Sequence, residues 1–216
     1  MLNIEENKAR YLELIESITR PGFRKEEFIN MIKTSDFCTT AASTKYHNDM
    51  DGGLCDHSLK VYDNLCKLVE LKNLDIKDQD TLKIVALMHD LGKINQYVKG
   101  PKNIKRYCKS DEDFNANKKA YNKQDDLGVY GWFTELRYEI SDNKFIYGNH
   151  EMSCEYIAST YIPLTIEESV AILHHMGGMS GDSAKSDLYT IYRTYPLALL
   201  LFEADLMAAV IDEEII

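Results

Sequence analysis

The chain has 216 residues, with 25 Lys and Arg against 35 Asp and Glu, a formal net charge of −10. That length suits one domain of ordinary size, and 44% hydrophobic with 28% charged residues excludes disorder as a description of the whole chain. The acidic balance argues against a protein that coats long nucleic acid, which needs a basic surface to displace counterions. A small phosphorylated substrate stays open, because bound divalent metal supplies positive charge locally.

Cys38, Cys55, Cys66, Cys108 and Cys154 form no C-x-x-C pair and read as reduced, mostly buried thiols. The first residues lack the basic start and apolar run of a signal peptide. No window reaches the roughly 18–20 apolar residues that a bilayer span needs. The expectation is a soluble protein of the reducing cytoplasm, with no membrane partner.

In chain order, Ala9 to Ile18 and Lys25 to Ile32 read as two short helices split by Pro21-Gly22, and residues 1–36 form a helical extension. Thr39 to Gly53, polar and rich in small residues, reads as a loop. From Leu54 the apolar spacing turns helical: Leu54, Ser58, Val61, Tyr62, Leu65, Leu68 and Val69 share a stripe. Leu82 to Leu91 is apolar nearly all round and predicts a buried central helix stopped by Gly92. Residues 99–147 read as an insertion: first a polar, mobile excursion from Lys99 to Asp126, then an aromatic β-hairpin from Tyr130 to Tyr147 turning at Ser141-Asp142-Asn143. Helices resume over His150–Tyr161 and Thr165–His175, the latter opened by a Thr165-x-x-Glu168 capping box. Pro196 to Ile211 is a last apolar helix. The pattern predicts a single all-α domain, a helical bundle with a small β-hairpin insertion.

Three apolar helices each aim a metal-competent side chain inward. His57 shares the stripe of Val61, Leu65 and Leu68; His89 continues the face of Leu82, Val85 and Ala86, with Asp90 beside it; Asp205 lies among Leu201, Phe202, Ala208 and Ala209. A bare buried carboxylate is costly unless paired or metal-bound. A lone inward histidine is more often a satisfied core residue than a ligand, but three convergent helices make coincidence a poorer explanation. Mixed imidazole and carboxylate ligands suit Mn, Fe, Ni, Co or Zn better than Ca, with Mg admitted.

The segments Asp51-Gly-Gly-Leu-Cys-Asp-His57-Ser, Ala86-Leu-Met-His89-Asp90-Leu-Gly-Lys93 and Ala204-Asp205 resemble, in order and spacing, the HD superfamily of metal-dependent phosphohydrolases. The entry segment Ala41-Ala-Ser-Thr-Lys45-Tyr-His47 resembles that of bacterial and phage HD domains. The resemblance implies that His57, His89, Asp90 and Asp205 hold one ion. It also implies that His150 with His174 or His175 holds a second in a two-metal form, bridged by Asp90. His175, beside Met-Gly-Gly, fits the pattern better than His174; in a one-metal form these histidines would bind substrate phosphate.

Asp90 would then orient water, with His150 or His175 moving a proton if not metallated. Lys93 is a candidate phosphate contact, against the alternative of a solvated helix-end lysine, and Lys45 and His47 are candidates at the pocket mouth. The resemblance implies hydrolysis of a phosphoester or phosphoanhydride in a nucleotide or related small substrate. Kept beside it are a nuclease or phosphodiesterase acting on short oligonucleotides or cyclic nucleotides, and a catalytically silent nucleotide-binding scaffold. Oligomeric state is not legible.

Overall fold

The computed structural model describes residues 2–45, 47–180 and 185–213. Tyr46, within the entry segment, lies outside them. The chain divides into two compact units, Met1–Tyr97 with Ile140–Ile216, and Val98–Glu139.

The larger unit is helical: α1 (Ile4–Glu16), α2 (Lys25–Thr34), α3 (Gly53–Lys72), α4 (Asp80–Met88), and then, beyond the smaller unit, α6 (His150–Tyr161), α7 (Ile166–Leu173), α8 (Lys185–Thr194) and α9 (Pro196–Met207). Helix α3 packs against α4 and α9, and α7 covers α9. As the sequence predicts, α4 is buried almost all round, through Ile84, Val85, Ala86, Leu87 and Met88. The loop before α3 closes on itself: Gly52 N–H bonds Thr39 O and Leu54 N–H bonds Thr40 O. Gly52 holds φ +81°, and a Cβ on Gly53 would sit 2.2 Å from Asn48 O, so the glycine pair sets the start of the helix that carries His57.

The sequence places most helices within a turn of their ends. The Thr165 capping box is present, with Thr165 Oγ1 accepting from Glu168 N–H and a Glu168 carboxylate oxygen accepting from Thr165 N–H. Helix α4 ends at Met88, earlier than expected, and a 3-10 turn follows over Leu91–Lys93. Gly92 is therefore not the helix stop. It is small because a Cβ there would lie 3.0 Å from Cys154 Sγ on α6. Helix α8 was not foreseen: its sequence is polar and tyrosine-rich, with Leu188 as its buried apolar anchor.

The smaller unit corrects the all-α expectation. The chain is 53% helical and also carries a three-stranded antiparallel sheet. Strands β1 (Tyr97–Tyr107), β2 (Tyr121–Asp125) and β3 (Gly128–Ile140) lie in the order β1-β3-β2, with a short helix α5 (Asp111–Ala116) between β1 and β2. The polar excursion from Lys99 to Asp126 carries β1, α5 and β2. The hairpin turn falls at Asp125–Gly128 rather than Ser141–Asn143, where Asp125 Oδ1 accepts from Leu127 N–H and Gly128 adopts φ +128°. Residues 141–149 form a loop, not a returning strand. All five cysteines are free, and no single described helix is long and apolar enough to cross a membrane.

Arg20, between α1 and α2, locks three elements. Its guanidinium bonds both Glu168 oxygens at 2.7 and 2.9 Å and Asp78 at 2.6 Å, while Thr81 donates to Glu168 at 2.7 Å. Glu168 is wholly buried. Burial pushes its pKa up, but Arg20 and the Thr165 and Thr81 donors outweigh that and hold it below the usual carboxylate value. Breaking a buried ion pair costs on the order of 3–5 kcal/mol, so Glu168→Gln should lower the urea midpoint at pH 7 by an amount equivalent to about 3 kcal/mol. The depressed pKa stabilises the fold above the unfolded-state value of about 4.3 and that contribution is lost as pH falls through the lower folded value. The gap between wild type and variant should therefore shrink at pH 3.

Candidate metal centre

Asp90 is the hub. Its Oδ2 lies 3.5 Å from both His57 Nε2 and His89 Nε2, and its Oδ1 lies 2.8 Å from His150 Nε2 and 3.7 Å from His175 Nε2. Each carboxylate oxygen therefore addresses a different pair of imidazoles. Asp205 Oδ1 approaches His57 Nε2 at 3.1 Å. The potential ligand atoms fall into overlapping groups: His57, His89 and Asp90; His89, His175 and Asp205; and Asp90, His150 and His175.

Helix ends create this convergence. Successive residues on a helix point about 100° apart, but α4 stops at Met88 and Asp90 leaves helical geometry (φ −115°, ψ 17°), so adjacent His89 and Asp90 reach one centre. Helix α7 stops at Leu173, and only His175 turns inward. His174 is half-buried and belongs to none of the groups; its carbonyl accepts from Tyr192 Oη at 3.1 Å. His150 opens α6 behind the cap formed by Asn149.

The imidazoles are oriented from behind. His89 Nδ1–H donates to Ala86 O at 2.8 Å and His175 Nδ1–H to Ile172 O at 2.7 Å, which turns each Nε2 lone pair toward the centre. His57 Nδ1 contacts Glu213 Oε1 at 2.6 Å, and Glu213 Oε2 holds His47 Nδ1 at 2.7 Å. Glu213, brought in by a π-helical turn over Ala208–Asp212, is the site residue that sequence reasoning missed. It follows the last helix with no periodicity to mark it. Lys93 is not a solvated helix-end lysine: its Nζ lies 2.7 Å from Asp90 Oδ2 and the side chain is mostly buried. Lys45 is exposed in the entry loop, with its N–H on Ser43 Oγ.

Burial and neighbouring charge compete at each group. Burial opposes charge on His57, but Asp205 and Glu213 raise its pKa to about 10. Burial lowers His89 to about 4. Burial would lift Asp90, yet Lys93 and His89 pull it well below the carboxylate range. Glu213 is likewise pulled to about 2 by His47 and His57 against its burial.

The donor set fits a divalent metal. His175 Nε2 is buried without a hydrogen-bond partner, and His57 and His89 bring their Nε2 atoms to 3.2 Å of each other, so imidazole nitrogens converge where an ion would take them as ligands. Imidazole nitrogens with carboxylate oxygens match the preferences of transition ions.

Comparison with known proteins agrees with the geometry. The HD domain family matches residues 54–209, well over half of the chain. The chain belongs to the HD domain family, whose members are typically metal-dependent phosphohydrolases. No curated protein and no solved structure matches it.

Outer partners of metal-binding histidines typically tune affinity by about 10–100-fold. Glu213→Gln should weaken Mn²⁺ binding within that range, read by competition with a fluorescent chelator, while helical circular dichroism stays unchanged. Asp205→Ala should go further and reduce the bound metal in elemental analysis.

Proposed function

We propose that the chain is a metal-dependent phosphohydrolase acting on a nucleotide or a related small phosphoester. The observation that carries this reading is the split of the Asp90 carboxylate between two imidazole pairs, with Asp205 closing the first. His57, His89, Asp90 and Asp205 would hold one ion, and Asp90, His150 and His175 a second. Bound there, divalent transition ions supply a water of pKa near about 7 and polarise a phosphoryl oxygen.

The protein's own groups take the remaining roles. Asp90 fixes the line along which water meets phosphorus. Lys93, kept charged by Asp90 despite its burial, is placed to meet a phosphoryl oxygen. His150 is the one imidazole around Asp90 with appreciable exposure, 25% of its side chain, and so, in a form where it holds no ion, is the group able to pass a proton to solvent or to a leaving oxygen. His47, held by Glu213, lines the edge of the cluster at 5.1 Å between ring centroids from His57. The net charge of −10 supports a small substrate over long nucleic acid.

The test is a panel of nucleotides, cyclic dinucleotides and short oligonucleotides assayed with Mn²⁺, with expected turnover of mononucleotide-sized phosphoesters that Asp205→Ala abolishes. Elemental analysis of His175→Ala should show one ion lost and one retained. An unchanged metal count with weaker substrate binding would instead assign His175 to the phosphate.

A further inference from the structure

The centre is buried almost everywhere. The side chains of His57, His89, Asp90 and His175 are at most 2% exposed, whereas His150 reaches 25%. His150 also lines a cleft of about 150 Å³, together with Gln96, Lys144, Phe145, Ile146 and Asn149. The approach to Asp90 through His150 therefore leads from this cleft.

The walls of the cleft have a definite chemistry. Phe145 is held in place by stacking on Tyr156, with ring centroids 5.9 Å apart and planes at 18°, and Tyr156 stacks in turn on Tyr147 at 4.5 Å. Phe145 nevertheless keeps 41% of its surface exposed and lines the cleft, so aromatic surface is left there for a flat partner. Lys144 is exposed beside it, a cation among otherwise uncharged neighbours. Asn149 Oδ1 accepts from Met152 N–H at the head of α6 and Gln96 Nε2 donates to Tyr97 Oη at 3.2 Å, so Asn149 turns its NH2 and Gln96 its carbonyl oxygen to the edge of a ring. The enclosed part of this open cleft, about 150 Å³, matches one benzene-sized ring, and a fused two-ring base would extend beyond it into solvent.

We propose that this cleft is the base subsite of the enzyme and that it takes a single-ring nucleobase stacked on Phe145, with the phosphate pointing past His150 toward Asp90. The preferred substrate class is then a pyrimidine nucleotide. This rests on the phosphohydrolase reading for the direction of the phosphate, but the ring subsite itself is open to test without turnover.

The probes are uridine, ribose and adenosine, none of which carries a phosphoester, titrated calorimetrically into the protein with its metal as purified. Stacking of a base on an aromatic side chain is worth about 1–3 kcal/mol, so uridine should bind at least about fivefold more tightly than ribose. Adenosine should bind more weakly than uridine. Phe145→Ala should lose about tenfold in uridine affinity while Phe145→Tyr retains it, with unchanged metal content in both. Lys144→Ala should leave uridine binding intact and weaken uridine 5′-monophosphate. Equal affinity for uridine and ribose, or wild-type uridine affinity in folded Phe145→Ala, would overturn the subsite. Absence of metal-dependent turnover alongside normal uridine binding would overturn the hydrolase reading and leave the subsite standing.

Discussion

A carboxylate buried among imidazoles is the constraint around which the larger unit is arranged. Asp90 is removed from water, and an unpaired charge there would be expensive. The protein answers with Lys93 at 2.7 Å, His150 at 2.8 Å and three further histidines within 3.7 Å. His57, His150 and His175 come from three other helices, because one helix can present only one stripe to one point, while His89 and Lys93 flank Asp90 where α4 gives way to the 3-10 turn. The packing of α3, α4, α6, α7 and α9 around Asp90 satisfies that requirement.

The same constraint explains why so many site residues stand at helix boundaries. His57 and Asp205 project from helix interiors. His89, Asp90 and His175 follow helix ends, His150 begins a helix, and Glu213 follows the π-helical turn. Boundaries free adjacent residues from helical spacing and leave carbonyls unpaired. Two of those carbonyls, Ala86 O and Ile172 O, orient His89 and His175. Tyr11 Oη donates to another, Leu87 O, at 2.7 Å. Ligand geometry and helix termination are thus a single feature.

The helical part was legible because its signals are local: the stripe from Leu54 to Val69, the all-apolar run around Ile84 and the Thr165 capping box each report their own segment. The inward aim of His57, His89 and Asp205 followed from the same periodicity. Glu213 was illegible because its role depends on a widened turn and on two histidines about 160 positions upstream. The sheet was legible only in part: the expected hairpin's first arm from Tyr130 coincides with β3, whereas β1 is mostly exposed and lysine-rich, so it lacks the alternation that marks a strand with one buried face. The aromatic residues around Phe145 suggested a strand, whereas they stack on α6 through Tyr156.

The narrowness of the exposure at His150 has a consequence for which ion the protein carries. With His57, His89 and His175 sealed and their rings held from behind, exchange of a bound ion has to pass partly exposed His150 or the 12% exposed side chain of Asp205, or await a local opening of the helices. Loading during folding meets no such barrier. Occupancy would then follow the supply of ions at the moment the chain closes rather than the equilibrium ranking of affinities, and two preparations of identical sequence could differ in metal according to how each was made.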